Sequence, residues 1–405
     1  MGSPKNRFSC DFLIIGAGII GLSSAINLKQ KYKNKKIIII EKEPQLGLHA
    51  SGRNSGVLHA GFYYLPDSLK AKFTKQGNLE LTTYCQSKNL KINKCGKVVV
   101  AKSERELETL FELKKRAEKN NVEIYLIDQK ELNEIEPNAR TYQYALWSPT
   151  TSVIEPISIL QSLKNDLLDQ EVSIYFNTPY IKRIDSNSIL AGDSIIEFGK
   201  LINCAGLYAD KIAKDFGFSQ NYLVLPFKGL YIEGNSNFIS RNIYPVPRLE
   251  NPFLGVHFTI GFDNKVKIGP TAIPCFWREN YEGMKNFKLL EFVETLRWNS
   301  LLLLKNSSFR LLSISEIKKY WRSYFIREAS QLVKEMDKKY FSSKGFSKSG
   351  IRAQLLDIAK VELVQDFVVE ADKYSVHILN AVSPAFTASF PFTRYIIDKY
   401  IDKNQ

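Results

Sequence analysis

Glycines at positions 16, 18 and 21, followed by an acidic residue at 41, have the types and spacing to hold a pyrophosphate and a ribose. In Gly16-Ala17-Gly18-Ile19-Ile20-Gly21 the first glycine permits a tight turn, and the second, with no Cβ, lets the backbone approach a phosphate. The third lets a helix pack closely on a strand, and the helix start at Ile19 and Ile20 offers unpaired N–H groups and a partial positive charge. Glu41 can accept hydrogen bonds from ribose hydroxyls, which favours an unphosphorylated ribose, as in FAD or NAD, over NADP.

These residues do that work only if the chain around them folds as strand, turn, helix and strand. Phe12-Leu13-Ile14-Ile15 and Ile37-Ile38-Ile39-Ile40 are short apolar runs of the kind found in parallel strands buried on both faces. Residues 47–61 are rich in Gly, Ser, Asn and His, too polar for a core and too long for a simple turn. The pattern then predicts a helix over 68–88, a strand over 94–102 and a charged helix over 103–120, with Ser103 as N-cap and Glu106 completing a capping box. A helix and strand follow between 155 and 184, and the strand at 200–204 ends at Ala205-Gly206, returning the chain to the nucleotide. Residues 223–277 alternate apolar and polar, as expected of an antiparallel sheet with one wet face, while 287–340 read as helical, basic and aromatic. Strands at 361–370 and 374–380 and a helix from Ala385 close the chain.

At 405 residues the chain exceeds the size at which one core usually keeps growing. The expected class is α/β: a Rossmann-type domain from residues 1–88, 150–215 and 345–405, with an inserted, mainly antiparallel α+β substrate domain from 89–149 and 216–344. The 56 basic residues are interleaved with 42 acidic ones, so the net charge of +14 reads as solvated surface, and no motif supports nucleic-acid binding. Five cysteines without CxxC spacing argue for a reducing compartment and against a metal cluster, and no metal site is expected. The first residues, Met-Gly-Ser-Pro-Lys-Asn, lack an apolar signal region and the hydroxyl residue at position six that myristoylation prefers. A cytoplasmic chain without a membrane-spanning helix is expected.

From Ala50 to Tyr64 the chain reads Ala-Ser-Gly-Arg-Asn-Ser-Gly-Val-Leu-His-Ala-Gly-Phe-Tyr-Tyr, and this stretch resembles the L-2-hydroxyglutarate oxidase/dehydrogenase family of FAD-dependent oxidoreductases. The likeness continues through residues 65–71, Lys94 to Ala101, Cys204 to Asp210, Phe253 to Thr259, Gly350-Ile351-Arg352-Ala353-Gln354, Asp366 to Val369 and Ser383-Pro384-Ala385. Nearly the whole chain is covered in family order, although 287–340 are only loosely similar and the last helix, with Phe386 and Phe390-Pro391-Phe392, is unusually aromatic. The resemblance implies a fold like that of D-amino-acid oxidase and glycine oxidase, with FAD extended across the Rossmann domain.

Several side chains then acquire expected roles. Ser51, Gly52, Arg53, Asn54 and Ser55 would form a loop against the cofactor, with Ala205 and Gly206 nearby. Ser383-Pro384-Ala385 would open a helix, proline near its first position, whose N-terminus faces the negative charge of reduced flavin, with Thr387 as a further donor. Oxidising a secondary alcohol requires the hydroxyl proton to leave as hydride passes to flavin N5. A neutral imidazole suits that task, with His59 as first candidate and His257 as its rival. Arg352 would clamp a carboxylate through two parallel hydrogen bonds, unless it is a surface residue paired with Asp357 or Glu362. Lys228 and Tyr231 are candidates for the distal carboxylate of a dicarboxylic acid, and His49 and His377 are expected at the surface or behind the reacting groups.

The implied reaction is oxidation of L-2-hydroxyglutarate to 2-oxoglutarate, with flavin reoxidised by oxygen or a membrane quinone. The basic, aromatic stretch from Lys285 to Lys348 would place the protein at the inner membrane's surface. Two alternatives stay open: a related flavin oxidase acting on glycine, sarcosine or another 2-hydroxy acid, and a non-catalytic or RNA-modifying flavin-binding protein. An amine enters as its neutral form and needs no base, so dependence on His59 separates the first alternative.

Overall fold

The run Ile37–Ile40 is apolar on both faces, so it is stable only as a strand covered on both sides. It lies there in the computed structural model, which describes residues 6–235, 238–250, 252–262 and 265–402; the residues before Asn6 that bear on signal and lipidation lie outside these. Ile37–Ile40 pairs in parallel with Asn6–Ile15 on one side and Ser173–Tyr175 on the other. Asn6–Ile15 pairs with Ser194–Asn203, and that strand's last residues pair with Ser375–Ile378, all in parallel. Two antiparallel strands, Tyr180–Arg183 and Ser188–Ala191, extend the same eight-stranded sheet. The helices Ile19–Lys31 and Pro156–Asp169 pack together beside it, giving the expected doubly wound layer.

A seven-stranded sheet forms the second unit. Its order is Ile232–Asn235, Lys265–Gly269, His257–Ile260, Asn242–Pro245, Lys97–Val100, Tyr144–Ser148 and Tyr125–Asp128, and one pair within it, Asn242–Pro245 with Lys97–Val100, is parallel. Between the two units runs a four-stranded sheet in which Tyr222–Gly229 pairs antiparallel with Gly350–Asp357 along their full length. The expected boundary at residue 345 puts these two partners in different pieces.

Local expectations failed at two places for identifiable reasons, while the proline before the last helix falls where expected. Ser103 makes no side-chain cap; a 3-10 turn, Glu104–Glu106, precedes the helix Leu107–Lys119, and the Glu106 carboxylate instead accepts from Lys102 N at 2.7 Å. A complete capping box is found at Asp128 and Glu131. The strand expected over 361–370 is broken into Glu362–Leu363 and Val369–Ala371, because Asp366 turns back to cap the helix Leu69–Ser87, accepting from Leu69 N at 2.7 Å and Lys70 N at 3.0 Å. Pro384 stands at the N-cap, one position before the helix Ala385–Tyr400.

The aromatic last helix is interior. Phe392 is fully buried, its ring 4.4 Å from that of Phe367, and the helix crosses Leu69–Ser87 so closely that a Cβ on Gly77 would lie 2.1 Å from the Thr387 carbonyl. The helical stretch after 287 resolves into Leu289–Lys305, Ser307–Lys318, Arg322–Ser330 and Lys338–Ser343.

One ion pair ties these units together. Arg278, with no exposed surface, donates to Asp210 Oδ1 at 2.5 Å and Oδ2 at 2.8 Å and to the Leu207 carbonyl, while Asp210 Oδ2 also accepts from Val224 N at 3.0 Å. Removing one partner strands the other charge in the interior. Asp210→Ala is therefore expected to lower unfolding stability by about 3–5 kcal/mol, read from the urea midpoint.

Candidate active site

The turn after Asn6–Ile15 behaves as its glycines require. Gly16 has φ +101°, and a Cβ there would lie 2.7 Å from the Cys204 carbonyl. A Cβ on Gly18 would meet Ser51 Oγ at 2.9 Å, and that hydroxyl accepts from Ile19 N at 3.0 Å. Gly21 is the packing glycine: its Cβ would fall 1.9 Å from the Gly16 carbonyl, and it does not face the cavity. Glu41 follows directly on Ile37–Ile40 and accepts from Ala17 N at 2.9 Å and Glu43 N at 3.1 Å, so its carboxylate is fixed beside the turn.

The polar loop is held by its own groups. Asn54 Oδ1 accepts from Gly56 N at 2.8 Å, and Arg53 Nε donates to the Leu48 carbonyl at 2.6 Å. Gly52 is a packing residue against Gly47, where its Cβ would lie 2.1 Å from the Gly47 carbonyl. A Cβ on Gly350 would lie 2.2 Å from the Arg53 carbonyl, so the strand carrying Arg352 starts in direct contact with this loop.

A single cavity of about 700 Å³ runs from the glycine turn to the central sheets. Gly16, Gly18, Ile19, Ile20, Glu41, Ser51, Arg53, Asn54 and Ser55 line it, as do Ala205, Gly206 and the helix start Ser383, Pro384, Ala385 and Thr387. At its inner end are His59, Tyr231, His257 and Arg352. Lys228 is not there: on an extended strand Phe227 and Gly229 face the cavity, so Lys228 points to the opposite side, toward Cys275. Thr387 serves the protein first, its hydroxyl accepting from His59 N at 3.2 Å.

The inner end is dry and short of acceptors. Burial, reinforced by Lys97, His257 and Arg352, holds the His59 imidazole well below its usual range, and burial takes His257 down to about 3. Both rings are neutral. His257 Nδ1 lies 2.8 Å from the Gly255 carbonyl, which can only accept, so the proton sits on Nδ1 and Nε2 keeps its lone pair. Its ring stacks on Tyr244 at 3.7 Å. Arg352 donates to the Pro252 carbonyl at 2.7 Å and lies 5.0 Å over the Phe253 ring, leaving the rest of its fork without a carboxylate among the described residues. The surface pairing with Asp357 or Glu362 does not form.

Other lining residues were given no site role by the sequence, although Phe253 lies in a stretch that carries the family resemblance. Tyr244, Phe253 and Glu316 reach the cavity through long-range strand pairing and helix packing, and Glu316 accepts from Ala272 N at 2.6 Å while pairing with Lys319. His49 lines the nucleotide end, half-buried between Glu43 Oε1 at 2.8 Å and the Tyr281 hydroxyl at 2.9 Å. His377 is fully buried between Asn203 and Ser375.

A glycine turn against a helix start, an acid at the end of the second strand and a long cavity leading to an inserted sheet define a nucleotide-cofactor oxidoreductase site. Residues 11–351 match the model of the FAD dependent oxidoreductase family, and the chain belongs to that family. Within it, relatives named L-2-hydroxyglutarate dehydrogenase are similar over nearly their whole length. The mitochondrial protein of Caenorhabditis briggsae is 33% identical across 99% of this chain and 96% of its own, and that of Escherichia coli K12 is 30% identical across 96% and 92%. Among solved structures, L-alpha-glycerophosphate oxidase from Mycoplasma pneumoniae superposes with a TM-score of 0.74 at 22% identity, covering 96% of this chain and 94% of that one. Glycine oxidase from Geobacillus kaustophilus gives 0.70 at 14% identity over 98% and 96%.

The buried neutral histidines make acid stability predictable. His257 and His377 are both held at about 3 when folded but titrate near 6.5 when unfolded, so the unfolded state binds more protons between those values. Stability is therefore lost as pH falls below about 6.5, each contributing about 1.4 kcal/mol per unit. Urea midpoints at pH 7.5 and 5.5 should show this loss, and His377→Gln should flatten it.

Proposed function

We propose that this chain uses FAD to oxidise L-2-hydroxyglutarate to 2-oxoglutarate, and that its reaction end is the wall formed by His59, Tyr231, His257 and Arg352. The observation that carries this reading is an arginine with a free fork facing the same cavity as two neutral histidines, beyond a complete dinucleotide fingerprint. The names of the full-length relatives supply the substrate.

The cradle fits FAD: side chains are excluded at Gly16 and Gly18 by close backbone and hydroxyl contacts, while Glu41 stands where a ribose would be met. FAD, when bound, supplies the hydride acceptor. Arg352 grips a substrate carboxylate and fixes the α-carbon, and Tyr231 offers a hydroxyl beside it. His59, neutral and buried, takes the hydroxyl proton; His257, whose unprotonated Nε2 can likewise only accept, is the rival acceptor for that one proton. The apolar walls, Phe227 and Phe253 among them, keep water away from the transfer.

Anaerobic titration of the flavin-loaded protein should bleach the flavin with L-2-hydroxyglutarate and leave it oxidised with D-2-hydroxyglutarate, glycine and sarcosine; bleaching by an amine would overturn the substrate. Arg352→Ala should weaken 2-oxoglutarate binding by about 2–4 kcal/mol while flavin content stays at the wild-type level.

The electron acceptor, oxygen or quinone, belongs to the same proposal, with a membrane surface as partner. Leu289, Leu290, Val293, Leu304, Leu311 and Trp321 are exposed on the helices after residue 287, with Lys288, Arg297, Lys305, Arg310 and Lys318 among them. No helix among the described residues is long and apolar enough to cross a membrane. Vesicles containing anionic lipid should co-sediment the protein at low salt and lose it when Leu290 and Leu304 are both changed to Ser.

A further inference from the structure

Lys97 has no place in the reaction as described, yet it lies directly behind it. Its side chain is fully buried on Lys97–Val100, a strand that pairs with the two flanking it, and Nζ has no hydrogen-bond partner. Three rings surround the nitrogen instead, Tyr63 at 4.4 Å, Phe62 at 4.6 Å and Tyr244 at 4.9 Å. Tyr244 is the ring on which His257 stacks, and Phe62 and Tyr63 follow His59 by three and four residues. His59 Nδ1 is likewise buried and unpaired. Two polar nitrogens, one able to give a proton and one able to take it, are thus both without partners beside the proposed reaction wall.

We propose that Lys97 is the positioning residue that receives the substrate proton through His59. As the hydroxyl O–H bond breaks, an N–H bond forms at His59 Nε2; the Nδ1–H bond then breaks and a third N–H bond forms on the neutral Lys97 amine once side-chain rotation brings Nζ to Nδ1. The imidazole ends neutral and the amine ends as ammonium. This rests on the reading of His59 as the proton acceptor.

The direction of transfer is set by the surroundings. Burial lowers Lys97 to about 7, above the His59 ring, so the amine is the stronger base of the two and is available uncharged near neutrality. Once charged, it is held by the faces of three aromatic rings. The titratable groups around it are His59, His257, Tyr63 and Tyr244, none of them a carboxylate that would fix it as a permanent ammonium. A resident salt bridge would have made it useless as a proton acceptor.

The test uses the flavin-loaded full chain with lysine labelled at ¹³Cε, as wild type, Lys97→Met, Lys97→Arg and His59→Gln. Wild type should show a lysine Cε signal that titrates near neutral pH and is missing from Lys97→Met, and in flavin reduction the double variant Lys97→Met/His59→Gln should be no slower than His59→Gln alone. A Lys97 signal charged throughout pH 6–9 overturns the proposal without any substrate being involved, and a double variant much slower than His59→Gln overturns transfer through His59. In anaerobic flavin reduction by L-2-hydroxyglutarate, Lys97→Met should be roughly 10²-fold slower and lose the wild-type pH dependence near neutrality, with 2-oxoglutarate affinity unchanged. Lys97→Arg keeps a cation in the cage but cannot take a proton, so it should be as slow; recovery of the wild-type rate by arginine overturns the relay. Wild-type flavin untouched by the hydroxy acid would overturn the substrate reading, while the titrations would still decide whether Lys97 is an uncharged base near neutrality.

Discussion

The Arg278–Asp210 pair is the joint on which the rest of the structure depends. A guanidinium and a carboxylate sealed from water are tolerable only when well paired, and here two parallel bonds are backed by backbone: Arg278 also donates to the Leu207 carbonyl and Asp210 accepts from the Val224 N–H, leaving only Nε of the guanidinium unpartnered, while Arg278 N donates to Glu291 at 3.1 Å. Leu207 follows the Ala205-Gly206 turn of the nucleotide sheet, Val224 lies on the central strand Tyr222–Gly229, and Glu291 opens the helix Leu289–Lys305. One ion pair therefore sets the relative position of the cofactor turn, the sheet carrying the substrate residues and the first exposed helix.

That placement leaves the inner end of the cavity buried and rich in positive or neutral nitrogen. Burial removes the charge from the histidines, whereas arginine keeps its charge in almost any surroundings. A dianionic substrate entering such a site is met by a fixed cation and by bases that do not repel it. Glu316 is the exception, and it is already engaged by Lys319 and Ala272 N.

Much of this was legible in the sequence, and the pattern of what was not is physical. The glycine turn, Glu41 and the loop at 51–55 could be read because glycines with short polar neighbours leave the backbone few alternatives. His59 and Arg352 stood out as chemistry-bearing residues in a recognisable motif. Lys228 misled because its chemistry suits a carboxylate while the alternation of an extended strand sets it on the face opposite Phe227 and Gly229, away from the cavity. Tyr244, Glu316 and Lys97 were invisible because their neighbours lie more than a hundred residues away or across a sheet whose order no local pattern encodes. Asp366 and Ser103 show the same limit at smaller scale: a helix took its cap from a distant segment, and a local cap candidate went unused.

The cavity is walled by lengths of chain that meet only in the folded protein, among them the first sixty residues, the turn at 205–206, the strand start at 350–353 and the helix start at 383–387. Whatever fills it binds the native chain and has no site on the unfolded one. Each tenfold rise in its free concentration above the dissociation constant then adds about 1.4 kcal/mol to stability. A group held there is in this sense part of the interior, and chain that holds it resists unfolding, and the proteolysis that follows unfolding, by that added margin.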